Sequence, residues 1–182
     1  LYSSAASDVY KRQPMTCATL DLSPVRLRQA LGRYATGVTV VTAAGAQGPI
    51  GLTVNSFAPV SLDPPLVLWS LRRASMHYDD FMAQGGFAIH VLGAPQRDLA
   101  RVFSQPVADR YAGLDWYVGQ DGIPVFDACA ARFECATRQV LEVGDHAVLI
   151  GEVLRLHAPD DDGGALVFHK GAFLPQAGVP VV

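Results

Sequence analysis

The sequence predicts a mainly β domain, built as an antiparallel barrel with a few helices. Two observations predict it. About seven segments of strand length, apolar or alternating, follow one another along the chain and are joined mostly by short turns. Only three segments carry the marks of a helix. Many strands with so few helices argue for an antiparallel barrel and against a βαβ arrangement.

The first helix begins at Ser23, a good N-cap, with Pro24 in the first helical position. Leu27, Ala30, Leu31 and Tyr34 fall on one face, and Thr36-Gly37 ends the helix. Val38 to Ala43 is β-branched and apolar and is expected to be a strand. After the Gly-rich turn Ala44 to Pro49, Ile50 to Asn55 returns as its hairpin partner. Val60-Ser61-Leu62 is a short strand closed by Asp63-Pro64-Pro65, which excludes helix there. Leu66 to Leu71 is an apolar run expected to be a buried barrel strand. A second helix is expected from Ser75 as N-cap through Met76 to Ala83, stopped by Gly85-Gly86, with a strand over Phe87 to Leu92 behind it. Gln96 to Phe103 is expected to be the third helix, with Leu99, Val102 and Phe103 turned inward. Gln105 to Ile123 reads mostly as loop and carries Asp109, Arg110, Trp116 and Tyr117. Ala131 to Leu141 has the cleanest alternation, with Phe133, Cys135 and Leu141 on one face and Arg132, Glu134 and Arg138 on the other. A turn at Gly144-Asp145 leads into a long apolar strand, His146 to His157. Asp160 to Gly164 is an acidic turn, and Leu166 to Phe168 and Ala172-Phe173 are the last short strands.

Half of the 182 residues are hydrophobic and 17% are charged, the balance of a folded domain. The length suits one sizeable core, so one domain is expected over residues 15–182. Residues 1–14 are Ser-rich and weakly basic with no apolar core, unlike a secretory signal. They are expected to be a non-native leader ahead of Met15, and Gln176 to Val182 is expected to pack on the surface. The mean hydropathy of +0.21 fits either an apolar surface buried between subunits or a well-filled barrel. A net charge of −3 without a basic stripe argues against nucleic acid or an anionic membrane as partner. No apolar run approaches the roughly 18 residues that span a bilayer. Cys17, Cys129 and Cys135 form no C-x-x-C pair and one must stay unpaired, which reads as reduced thiols in a cytoplasmic protein. The histidines are scattered without zinc-like spacing, which disfavours a metal site.

No Gly-rich dinucleotide fingerprint, P-loop or nucleophile elbow is present; Gly45 and Gly48 lie in a hairpin turn. Three polar clusters remain. Thr53-Val54-Asn55-Ser56-Phe57 places an amide, two hydroxyls and an aromatic at the exit of a buried strand; it is either a plain turn or a seat for a flat heteroaromatic ligand. Arg72-Arg73-Ala74-Ser75 is either a capped helix start with solvated arginines or a phosphate site. Gly144-Asp145-His146 is either a β-turn or a device that brings a carboxylate and an imidazole to the mouth of the barrel.

The ordered set of segments resembles the short-chain flavin reductase family, the reductase components of two-component flavin-dependent monooxygenases. The resemblance is carried by Ala30 to Thr42 (ALGRYATGVTVVT), Gly51 to Phe57 (GLTVNSF), Val60 to Val67 (VSLDPPLV) and Phe87 to Leu92 (FAIHVL). Leu99-Ala100 before Phe103, Asp109-Arg110-Tyr111, and Gly144-Asp145-His146 followed by Gly151-Glu152-Val153 continue it. It covers roughly residues 26–175. It implies a homodimer of antiparallel split β-barrels of the FMN-binding Greek-key type, reducing free FMN or FAD with NADH or NADPH for a partner monooxygenase. Thr53, Val54, Asn55, Ser56 and Phe57 would hold the isoalloxazine and ribityl chain, Ala74 and Ser75 the flavin phosphate, and His90 and Val91 would line the flavin. His146 would be catalytic on the nicotinamide side, with Arg33, Thr36 and Gly37 near it. His90 stands where the family often has Asn, and Phe173 where a hydroxyl-bearing aromatic is common. The same barrel could instead hold its flavin tightly and act on another substrate, or bind flavin without turnover.

Overall fold

The computed structural model describes residues 22–107, 109–160 and 163–174. The expected leader, Met15, Cys17 and the stretch Gln176 to Val182 lie outside the described residues, as does part of the acidic turn.

Helix α1 (Pro24–Leu31) starts as its sequence requires, with the Ser23 hydroxyl accepting from the Arg26 amide at 3.5 Å. It stops earlier than expected, because the Gly32 N–H closes the last turn on Arg28 and the chain then leaves to pair elsewhere. Thr36-Gly37 is not a helix stop but strand β1 (Thr36–Gly37). A hairpin follows, β2 (Thr39–Gly45) and β3 (Gly48–Val54), turning at Ala46-Gln47. A second hairpin is β4 (Ala58–Leu62) with β5 (Pro65–Arg72). Next come helix α2 (Tyr78–Ala83), strand β6 (Gly86–Val91) and helix α3 (Arg97–Ser104). The segment expected to be mostly loop contributes one short strand, β7 (Tyr117–Val118), which pairs with β8 (Pro124–Val125) just beyond its end. The long hairpin β9 (Ala131–Val143) and β10 (His146–His157) turns at Gly144, whose φ of +59° suits glycine. Strands β11 (Val167–His169) and β12 (Ala172–Phe173) end the described chain, with β11 pairing β1.

The fold is mainly β and its ladders are antiparallel. Seven strands form one sheet in the order β3-β2-β6-β9-β10-β5-β4. Its two edge strands, β3 and β4, are consecutive in the chain and are joined by Asn55, Ser56 and Phe57. Both ends of the sheet contribute to one core: Val41, Ile50 and Val54 meet Trp69, Leu71, Phe87 and Leu149 there. A second core lies on the other side of β2, where Val38, Val40 and Leu92 pack with Phe103, Tyr111 and Phe126. Strands β2 and β6 are therefore covered on both faces, which is why they read as unbroken apolar runs. Strand β5 alternates instead, burying Val67, Trp69 and Leu71.

Four details differ from the expectation. Ser75 does not cap α2, because its hydroxyl takes the His77 amide at 3.3 Å and closes a turn, so the helix starts only at Tyr78. In α3, Ala100 and Phe103 point inward and Val102 outward. On β9, Arg132 and Glu134 are buried and paired at 3.3 Å, because Phe126 and Asp127 cover that end of the strand. Among the described residues the apolar face of α1 stays largely uncovered: Leu31 is 65% exposed and Tyr34, just beyond the helix, 79%.

Gly151 of β10 marks the tightest point of the first core. A Cβ there would lie 2.5 Å from Phe87 Cζ and 2.9 Å from Cys135 Cβ. Gly151→Ala is expected to cost about 1–3 kcal/mol through overpacking, read as a lower urea midpoint with an unchanged slope.

Candidate functional site

A cleft of about 410 Å³ opens where the exit of β3 meets the C-terminal end of β5 and the start of β10. Thr53, Val54, Asn55 and Ser56 line one side, Ser70, Arg72, Ala74 and Ser75 the other, and His146 lies at its mouth. Members of all three polar clusters thus meet in one cavity, the third brought in from much further along the chain. The register brings them together, since His146 stands opposite Arg72 on the neighbouring strand.

Hydrogen bonds fix the shape of the cleft. The Thr53 hydroxyl donates to the Ala100 carbonyl at 2.7 Å, which ties the exit of β3 to α3. Ser56 is bound twice to Ser70: its Oγ accepts the Ser70 amide at 2.9 Å and donates to the Ser70 carbonyl at 3.3 Å. Both capacities of Ser56 therefore serve the fold, and Asn55 is the exposed polar side chain of that segment. On the opposite wall the two arginines part. Arg73 pairs with Glu142 at 2.9 Å, whereas Arg72 lines the cleft. The Ser75 amide is bound to the Arg72 carbonyl at 2.9 Å, so the expected helix-terminus amide is spent. Its hydroxyl only accepts, from His77, and keeps its own hydrogen to donate.

His146 is 39% exposed, and its Nδ1 lies 2.7 Å from Asp145 Oδ1. This hydrogen bond, then the charge pairing with the same ring, holds the Asp145 carboxyl below its ordinary pKa. An ionised carboxylate accepts the Nδ1 hydrogen and leaves Nε2 as the ring's second polar atom.

Other expected site residues lie elsewhere. Phe57 stacks on Phe133 at 5.7 Å and packs against the first core. His90 is 0% exposed between β2 and Phe126, its Nδ1 3.2 Å from the Val40 carbonyl and its Nε2 accepting the Phe126 amide at 3.3 Å. Burial, opposed in part by the Val40 hydrogen bond, pushes its pKa down to about 3. Val91, the next residue of β6, is outside the cleft lining, and so are Arg33, Thr36 and Gly37. Leu52, Ser70 and Leu71 line the cleft without having been picked out in the sequence. The period of two along β5 is the signal that could have found Ser70, which shares a face with Arg72. No helix among the described residues is long and apolar enough to cross a membrane.

The family model described as "Flavin reductase like domain" matches residues 31–176. The chain is 49% identical over 146 residues to the FMN reductase (NADH) SmoA of Agrobacterium fabrum, covering 80% of this chain and 82% of that protein. It is 42% identical over 152 residues to the reductase component of a flavin-dependent trigonelline monooxygenase from Acinetobacter baylyi, covering 83% of this chain. The chain spans 48% of that protein's length, and 44% of the length of a Rhizobium meliloti protein named "Probable flavin reductase", to which it is 50% identical. Among solved structures, the Streptomyces globisporus NADH:FAD oxidoreductase SgcE6, in complex with NAD and FAD fragments, superposes with a TM-score of 0.81. It is 36% identical, with 87% of this chain and 96% of that one covered. The chain belongs to the flavin reductase like domain family.

Proposed function

We propose that this chain is an NAD(P)H-dependent flavin reductase that supplies reduced FMN or FAD to a partner monooxygenase. The observation that carries the reading is the convergence of Thr53 to Ser56, Ala74-Ser75 and His146 on one cleft. The cleft suits a flavin in size and chemistry. Its volume falls within the roughly 300–1,000 Å³ of small-molecule sites, and Leu52, Val54 and Leu71 give it apolar wall. Asn55, Arg72, Ser75 and His146 give it polar groups. A bound flavin supplies the hydride-accepting ring and a nicotinamide the hydride.

The residues divide the remaining work. Asn55 and the backbone amides at Ser56 and Phe57 would hold the ring and offer donors where negative charge develops. Ser56, held by Ser70, fixes those amides in place. Arg72 and the Ser75 hydroxyl would hold the phosphate, with Ala74 beside them. His146, oriented by Asp145, would seat the nicotinamide or hold a proton at Nε2. The test is a mixture of the protein with NADH or NADPH and FMN or FAD, followed at the nicotinamide absorbance. Oxidation with at least one pair is expected, and none with any pair would refute the reading.

The seven-stranded sheet would close as a split β-barrel, since its edges are joined by three residues and share one core. The protein would be a homodimer, with a second copy covering the apolar face of α1. In that arrangement Arg33, Thr36 and Gly37, absent from the cleft of their own chain, would have to approach a nicotinamide bound by the partner. Sedimentation equilibrium is expected to give twice the chain mass, and a monomer at micromolar concentration would remove the dimer.

A further inference from the structure

The corner that brings Arg72 and Ser75 to the cleft is a turn, not regular structure. Strand β5 ends at Arg72, and α2 begins only at Tyr78, a helix of six residues with no side-chain cap. Between them the Ser75 amide donates to the Arg72 carbonyl at 2.9 Å, and the Tyr78 amide to the Ser75 carbonyl at 3.1 Å. The His77 amide donates to Ser75 Oγ at 3.3 Å, so the position of His77 sets where the Ser75 hydroxyl stands.

What holds His77 comes from distant chain. Its side chain is 13% exposed, and its Nε2 lies 2.7 Å from Nη1 of Arg110, in the loop after α3. Nη2 of the same guanidinium donates to the Gln105 carbonyl at 3.0 Å and meets Met76 Sδ at 3.9 Å. One arginine thus grips both residues that follow Ser75. A guanidinium only donates, so Nε2 accepts and the ring hydrogen sits on Nδ1. Nδ1 faces Asp80 Oδ2 at 3.8 Å, and Asp80 Oδ1 accepts the Ala46 amide at 3.1 Å, which ties α2 to the β2–β3 hairpin. The neutral ring is the middle member of this chain from loop to hairpin.

The groups around it keep their charge near neutral pH. Asp109 accepts the Tyr111 and Ala112 amides, and Tyr111, its pKa raised by burial, donates to the Ile50 carbonyl at 2.7 Å. The hairpin residues 46–51 bring no titratable side chain. His77 is therefore the group that changes charge here. Burial and then the Arg110 charge lower its pKa, with Asp80 opposing, so the ring is neutral at pH 7. Protonating Nε2 turns the acceptor into a donor and sets two cations 2.7 Å apart, which breaks the grip.

Resting on the flavin reading, we infer that Arg110 and His77 are positioning residues for the flavin phosphate. They form a latch that keeps the turn from Arg72 to Tyr78 in its binding shape while His77 is neutral and releases it when His77 is protonated. Release weakens the hold on the phosphate and leaves the seat of the ring, at Asn55 and Ser56, as it was.

The test measures dissociation constants for FMN and for riboflavin, which lacks the phosphate, in wild type and His77→Gln, from about pH 7.5 to about pH 5. The glutamine amide offers Arg110 a carbonyl and does not titrate. The FMN phosphate titrates near pH 6 in both proteins, so the difference between them reports the latch. Wild type is expected to lose about fivefold more FMN affinity than His77→Gln, the worth of about one hydrogen bond. Riboflavin is expected to bind both proteins alike throughout. Arg110→Met, which removes the grip outside the cleft, is expected to weaken FMN and not riboflavin at neutral pH, raising KM for FMN more than it lowers kcat. FAD, whose phosphates stay ionised over this range, gives a readout that needs no variant: its affinity for wild type should fall on acidification while that of riboflavin holds. Identical pH curves for wild type and His77→Gln, or equal losses of FMN and riboflavin, would overturn the latch and leave the flavin cleft standing. If wild type binds no flavin at neutral pH, the flavin reading fails and the latch with it.

Discussion

His146→Ala is expected to lower kcat for nicotinamide oxidation by about 100-fold, the lower range for loss of a positioned acid or base, with a much smaller change in flavin dissociation constant. The split follows from the geometry. The groups proposed to hold the flavin, Asn55, Arg72 and Ser75, belong to the β3–β4 connection, β5 and the turn after β5, whereas His146 enters from β10. Removing the imidazole leaves the walls intact: Ser56 remains bound to Ser70 and Thr53 to Ala100. Asp145→Asn is the companion variant. It keeps a side-chain oxygen near Nδ1 and removes the charge, so it should lower kcat less than the alanine variant while altering the pH profile. Stopped-flow hydride transfer together with equilibrium flavin titration separates the two quantities. An unchanged rate in His146→Ala would take this residue out of the mechanism.

What could be read in the sequence follows from how locally each feature is determined. The strands were legible because burial on one face writes a period of two, as in β5, and burial on both writes an unbroken run, as in β2 and β6. The Gly144 turn was legible because the hairpin needs a positive φ there. Features that depend on distant chain were not. Arg132 and Glu134 alternate with Phe133 and Cys135 as a solvated face would, and only the segment at Phe126-Asp127 converts them into a buried pair. Ser75 has the residue type of a helix cap, but the competing Ser75–His77 turn wins and Asp79 and Asp80 then fall in the first turn of α2, where its dipole favours them. For the site, the three polar clusters were visible as residue types. Their meeting in one cleft depends on the register of β10 against β5, which a single sequence does not state. The parting of Arg72 from Arg73 depends on Glu142, a contact across the β9–β10 hairpin.

Acidification is expected to remove several kcal/mol of stability between pH 6.5 and about 3, through a residue that looked like part of the flavin site. In the unfolded chain His90 titrates near 6.5, and in the folded protein burial holds it near 3. Between those values the unfolded state binds a proton that the folded state does not. Stability from this group is therefore fully present above pH 6.5 and falls as pH drops, by up to about 1.4 kcal/mol per pH unit. The ring has no way to accept the charge cheaply. It lies 3.8 Å from Phe126, nearly parallel to it, and protonating Nε2 would break the Phe126 amide hydrogen bond. The Arg132 charge opposes protonation further, and Asp127 offsets only part of that. His90→Asn is the informative variant, because its amide can still donate to the Val40 carbonyl but does not titrate. Urea unfolding at stepped pH should show a clearly shallower fall for His90→Asn than for wild type, the remainder coming from carboxylates. Equal slopes would mean that His90 is charged in the folded protein. The same variant tests where this residue belongs. Held in the second core and away from the cleft, it should leave FMN and FAD affinity within about twofold, a difference of about 0.4 kcal/mol. A large loss of flavin binding at unchanged stability would return His90 to the cofactor site that its family position suggests.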